Sequence, residues 1–175
     1  VESTLDSLIG AGATSLVNEL YLQNVFESVA DRSPYALDPG DDSDSALYAL
    51  VGRNVRLGEL NERMITRSSN LATNALIQFL DPRRVTATAR ALGARDIQVL
   101  RGVEDGKAFA QGLNNTTTAR DLGVLLTAIE RNRAASRASC DSMRRVLMRQ
   151  AFHDEIPAGL PAGTLPDPAT LWSLM

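Results

Sequence analysis

The sequence predicts a mainly helical domain. Apolar residues recur at three- and four-residue spacing through most of its 175 positions, and no run of period-two alternation is flanked by hairpin turn residues. A hydrophobic content of 44% at this length is enough for one buried core, so residues 1–175 read as a single helical domain. Eighteen basic residues against 21 acidic ones leave a net charge of −3 with no basic block, which makes nucleic acid and anionic membranes poor partners. No stretch approaches the roughly 18 apolar residues of a membrane span, and Val1 to Gly12 carries acids where a signal peptide carries basic residues. A single cysteine, Cys140, cannot close an internal disulfide. Together with the single histidine, His153, it cannot build a zinc shell, so no metal or other cofactor is expected.

The elements follow in order. Leu5, Leu8 and Ile9 form a short helical stripe ended by Gly10 and Gly12, and Leu16, Val17, Leu20 and Tyr21 start a second short helix capped by Thr14 or Ser15. From Ser33-Pro34 to Asp44, proline, glycine and acids interrupt the periodicity, so a solvated surface connection is expected; its acids lack the spacing of a calcium loop. The strongest stripe runs from Val55 through Leu60 and Met64 to Phe79, cut by five polar residues from Thr66 to Asn70. One helix should end near Arg67 and the next begin at Ser69 or Asn70. Pro82 stops that second helix, and another runs from about Arg83 to Leu92, closed by Gly93. Ile97, Val99 and Leu100 suit a short extended piece, and the 3.6-residue periodicity breaks again across Val103 to Asn115. Thr118 and Asp121 resemble a capping box opening a stripe of Leu122, Leu125, Leu126 and Ile129. Ser139, Met143, Val146 and Leu147 mark one more helix, with Cys140 in its first turn. Ile156 to Gly163 is irregular, and Asp167-Pro168 starts a last short helix.

Hydroxyl and amide groups concentrate in Thr66-Arg67-Ser68-Ser69-Asn70, where a helix junction would present them at one end of a bundle. Alone, Ser68-Ser69-Asn70 reads as a helix cap. In context, the run Met64-Ile65-Thr66-Arg67-Ser68-Ser69-Asn70-Leu71-Ala72-Thr73-Asn74 resembles the Ser-Asp-Asn region of the class A β-lactamases and related penicillin-binding serine hydrolases. Three further stretches match in order. Ser33 to Asp38 resembles a loop upstream of that region, Asn114 to Leu122 resembles the threonine-rich helix start after the family's omega loop, and Ile156 to Gly163 resembles the approach to the third motif. The likeness covers about Asn24 to Thr164, while 1–12 and 167–175 look like the family's terminal helices.

The resemblance implies roles. Ser68 would relay a proton to the leaving nitrogen, and Asn70 would hydrogen-bond the substrate amide. Ser69 replaces the carboxylate that usually braces this turn. Leu100-Arg101-Gly102-Val103-Glu104 resembles the lead-in to the family's deacylating glutamate, which makes Glu104 the candidate base, against the alternative of a solvated acid beside Asp105 and Lys107. The substrate implied is a β-lactam or a peptidoglycan-like amide, hydrolysed through an acyl-serine by a secreted or periplasmic enzyme.

The nucleophile does not follow the family. Its Ser-x-x-Lys pairs hydroxyl and amine across one helical turn, but Lys107 is the only lysine here and Glu104 stands three before it. The nearest remnant is Ser15-Leu16-Val17-Asn18, in which Asn18 cannot act as a base. Lys-Thr-Gly is absent too: Gly163-Thr164 leads directly to Leu165-Pro166. Loss of one member of a catalytic unit can cost about a million-fold in rate. The expected chain is therefore the helical part of the family's α/β fold, its sheet segments either lost or not contained in these 175 residues. A non-catalytic structural or binding domain is the competing reading. His153 reads as a capping residue rather than part of a triad, and Cys140 as a buried thiol unless the helix end lowers its pKa.

Overall fold

A computed structural model describes residues 16–152. The expectations for Leu5 to Ser15, His153, Ile156 to Gly163 and Asp167-Pro168 lie outside the described residues.

Helices dominate, as the periodicity requires. The pair at the centre is α1 (Leu57–Thr66) and α2 (Asn70–Leu80). They pack through Leu57, Leu60, Leu71, Leu76 and Leu80, joined by Leu22 and Leu47, all essentially inaccessible to solvent. Each buried leucine contributes about 2 kcal/mol of transfer free energy, so this apolar seam sets where the α1–α2 junction points. α3 (Pro82–Ala91) follows with Asp81 as hinge: its side chain accepts from Arg83 N at 2.8 Å, and Pro82 takes the first helical position. Gly93, at φ +102°, closes α3 in the left-handed conformation that a side chain would strain.

α4 (Gly106–Ala110) is a single short turn inside the 103–115 region where the sequence shows no stripe. α5 (Ala119–Glu130) begins at Thr118, whose hydroxyl accepts from Asp121 N. The expected capping box is only half formed. Asp121 is fully buried and directs its carboxylate to Asp96 N at 2.7 Å, tying α5 to the segment after α3. The Leu122/Leu126 half of the α5 stripe is 48% and 53% exposed, and Ala128 faces inward. α6 (Arg137–Leu147) buries Cys140, Met143 and Val146. Its Arg144 donates to the carbonyls of Ile129 and Glu130 and so caps the C-terminus of α5.

Two expectations are corrected. The Leu16–Tyr21 stripe is not a helix: Glu19–Tyr21 forms strand β1, antiparallel to β4 (Asn54–Arg56), with Leu20 opposite Val55. Leu20 and Leu22 turn inward while Tyr21 stays exposed, so a short apolar run compatible with both periods is decided by the partner strand. Asn18 and Leu16 carbonyls extend the ladder to the Leu57 and Gly58 amides, leaving little room for a Cβ at Gly58, which would meet Leu16 O at 3.2 Å.

The Ser33–Asp44 connection is likewise not simply a solvated turn. Pro34–Tyr35 is strand β3, paired with β2 (Phe26–Glu27), and Phe26 packs on Tyr35 with ring centroids 5.8 Å apart. Asp42 and Asp44 are buried, because each has a structural partner. Asp44 binds Arg63 of α1 at 2.9 Å, and Asp42 binds the first turn of α2. A 3-10 helix, Ser45–Leu50, links this segment to β4.

Candidate active site

Ser68 lies between α1 and α2 with a left-handed backbone, φ +52°. That conformation reverses the chain, lets Ser69 N reach Arg63 O at 3.3 Å, and starts α2 with Ser69 as N-cap. The cap expected from Ser68-Ser69-Asn70 therefore exists, and Ser69 makes it: its hydroxyl accepts from Ala72 N at 3.3 Å. Ser68 is exposed, and Asn70, the first helical residue, is half-buried.

Glu104 is delivered by a closed loop. Gln98 and Thr116 exchange backbone hydrogen bonds at 2.8 and 3.0 Å, sealing the loop's neck. Within it, Asn115 accepts from the amides of Leu100 and Arg101, and the Arg101 guanidinium donates to Leu113 O and Gly102 O. At its tip Glu104 is also left-handed, φ +60°. Non-glycine residues in this region store on the order of 1–3 kcal/mol, and such strain collects at functional sites.

Asn74, one helical turn after Asn70, holds the tip against α2. It is 1% exposed. Its Nδ2 donates to Val103 O at 3.0 Å and its Oδ1 accepts from Val103 N at 2.6 Å, so one side chain pairs with both polar groups of the residue before Glu104. Gly102 makes this approach possible, since a Cβ there would lie 2.4 Å from the Tyr35 hydroxyl and 2.7 Å from Asn74 Oδ1. Gly102→Ala is expected to push Asn74 off Val103 and raise amide exchange at Val103 toward that of an open loop. Unchanged protection of Val103 would contradict the role given to this contact.

On the other side, buried Asp105 fastens the loop to the β2–β3 hairpin. Its Oδ1 accepts from Ser28 Oγ at 2.7 Å and from Ala108 N at 3.1 Å, and its Oδ2 from Val29 N at 3.0 Å. Burial pushes this carboxyl upward, but the hydrogen bonds from Ser28, Ala108 and Val29 outweigh it and hold the group below the usual carboxylate range. Burial also pushes the Tyr35 phenol up to about 12, with the Asp105 charge adding to it. Lys107 donates to Asp31 at 3.0 Å and to the Ser33 hydroxyl. Hydrogen bonds from the Ser33 side chain and amide, reinforced by Lys107, bring Asp31 down to about 2. The lone lysine is thus a tether between α4 and the hairpin.

The two halves meet. Asn70 Nδ2 donates to Glu104 Oε1 at 2.6 Å across 34 residues of sequence. An amide and an exposed carboxylate in contact, with the Ser68 hydroxyl two residues away in the chain, offer a donor and an acceptor to a polar ligand or a water. Of the residues singled out in sequence, Asn70 and Glu104 are brought into direct contact, Ser68 shares their junction, and Ser15 lies outside the described residues. Asn74, Gly102 and Asp105, which position Glu104, were not singled out. Asn74 did leave a signal: asparagine is a poor choice among the apolar positions of a helix unless its amide has a partner. A cavity of about 720 Å³ between α1 and α6 is lined by other residues, Arg56, Asn61 and Arg149 among them, and is separate from this contact.

Known proteins place the chain. Residues 32–171 match the Beta-lactamase enzyme family, four-fifths of the sequence, and the chain belongs to that family. Among solved structures it is similar to a β-lactamase from Sphaerobacter thermophilus, at 25% identity and a TM-score of 0.72, with 93% of this chain and 58% of that one covered. A β-lactamase from Xanthomonas campestris has 20% identity and a TM-score of 0.71, over 93% and 57%. A PBP-A mutant in an acyl-enzyme complex with penicillin G has 22% identity and a TM-score of 0.68, over 93% and 55%. No curated protein matches at the sequence level. The chain thus spans little more than half the length of these structures, and its described part is the helical portion of the β-lactamase-like fold. No described helix is long and apolar enough to cross a membrane.

Proposed function

We propose that the chain carries the helical half of a β-lactam-recognising serine hydrolase site. Asn70 offers its amide to the substrate, Ser68 is the proton relay to the leaving nitrogen, and Glu104 holds the water that would release an acyl-serine. The observation that supports this most is the 2.6 Å contact between Asn70 and Glu104, made by two residues that family resemblance selects independently. Their chemistry fits: a general base needs a carboxylate within hydrogen-bond reach of a water, and an exposed Glu104 anchored through one oxygen leaves the other available. In the 175-residue chain the function is recognition without turnover, because Asn18 stands where Ser-x-x-Lys has its base and Lys107 is tethered to Asp31. The second reading, a family-derived domain that serves only as a structural or binding unit, draws on the same missing lysines.

Incubating the chain with a fluorescent penicillin should give no covalent band on a denaturing gel, and a label at Ser15 or Ser68 would overturn the account of the nucleophile. In a protein that joins this chain to segments bearing Ser-x-x-Lys and Lys-Thr-Gly, labelling should appear. There, Glu104→Gln should prolong the acyl-enzyme by about a hundredfold or more. An unchanged lifetime would remove Glu104 from the role of base.

A further inference from the structure

We infer that Asp42 is the positioning residue that sets the Ser68–Asn70 turn and, through it, aims Asn70 at Glu104. The inference rests on the reading of Asn70 as a substrate-facing residue. α2 starts with amides that have no partner in the preceding turn. Ser69 satisfies one of them, Ala72 N, at the long distance of 3.3 Å. The Leu71 amide is buried beyond its reach, and Asp42 Oδ2 accepts from it at 2.9 Å across 29 residues of sequence.

Asp42 is itself fixed. It is 7% exposed, its Oδ1 accepts from Asp44 N at 2.9 Å, and its Oδ2 also accepts from the Tyr48 hydroxyl at 3.1 Å. Burial raises the Tyr48 phenol well above its ordinary value and the Asp42 charge raises it further, so Tyr48 is a lasting donor. Asp44, two residues on, is held by Arg63 of α1. The carboxylate is thus anchored to α1 and the 3-10 helix before it meets α2, and its charge faces the positive end of the α2 dipole. Buried carboxylates are costly unless hydrogen-bonded; here the compensation is supplied by the very turn that carries Asn70. Asn70 immediately precedes Leu71, so fixing the Leu71 amide fixes the backbone from which the Asn70 side chain leaves toward Glu104.

Nuclear magnetic resonance of the ¹⁵N-labelled 175-residue chain tests this with Asp42→Ala and with Asp42→Ala combined with Ser69→Asp, an N-cap carboxylate able to accept from the second and third helical amides. In Asp42→Ala, Leu71 should exchange at least about tenfold faster while Leu76 is unchanged. The Asn70 side-chain amide signals should move to the positions they take in Glu104→Ala, which has no side-chain oxygen to accept from Asn70. The double variant should return both to wild-type values. If Asp42→Ala does not fold, a double variant that folds with wild-type Asn70 signals sustains the inference, and one that does not restore them overturns it. It is equally overturned if Asp42→Ala leaves the Asn70 signals in place, whatever happens at Leu71. No β-lactam enters the measurement, so failure of penicillin recognition would refute the proposed function and leave this result standing.

Discussion

Asn74→Ala is expected to lower the unfolding free energy by about 3 kcal/mol. The substitution deletes two hydrogen bonds to Val103 and leaves that residue's N–H and C=O facing a small void beside Gly102. A buried polar group left without its partner costs about 1–3 kcal/mol, and the loss of packing around a fully enclosed side chain adds to it. Urea denaturation followed by circular dichroism measures the change. A loss under about 1 kcal/mol would mean that the loop tip finds other partners and that Asn74 is not its anchor. The same variant should free Glu104 from Asn70, because the tip is held on α2 chiefly through Val103.

Asp105→Asn is expected to cost about 2–3 kcal/mol, with a pH dependence that identifies the cause. Its carboxylate accepts three hydrogen bonds, and an amide in its place sets an N–H against either the Val29 amide or the Ser28 and Ala108 donors. The folded carboxyl lies below the usual range, so the unfolded chain binds the proton more readily. Stability from Asp105 is therefore complete above the unfolded value of about 4 and is lost as pH falls through the lower folded value. The gap in urea midpoint between wild type and variant should be constant at neutral pH and close progressively in acid. A gap that does not change with pH would show that ionised Asp105 is not what holds the hairpin to the loop.

Apart from the single turn of α4, which carries no stripe, the α-helices were legible because each has an amphipathic stripe bounded by a chemical stop. Thr66 to Asn70 interrupts α1 and α2, Asp81-Pro82 divides α2 from α3, and Thr118 opens α5. β1 was not legible, since Leu16, Val17, Leu20 and Tyr21 suit a helix locally and only pairing with Asn54–Arg56 selects the strand. The burial of Asp42 and Asp44 was not legible for a related reason. Acids in a proline- and glycine-rich stretch are usually solvated, and their burial depends on Leu71 and Arg63, which the chain brings to them only on folding. Asn70 and Glu104 could be named from motif resemblance, but the residues that aim them could not. Asn74, Gly102 and Asp105 act through contacts 28 to 77 positions away in sequence, and such contacts leave no periodic trace.

Titration of benzylpenicillin into the ¹⁵N-labelled chain tests whether Asn70 and Glu104 form one recognition site. The Asn70 side-chain amide and the Glu104 backbone amide should shift together along one binding curve, with a dissociation constant on the order of 1 mM for a half-site, and Asn70→Ala should abolish the Glu104 response. Shifts confined to the cavity residues Asn61 and Arg149, or a Glu104 response that survives Asn70→Ala, would contradict it.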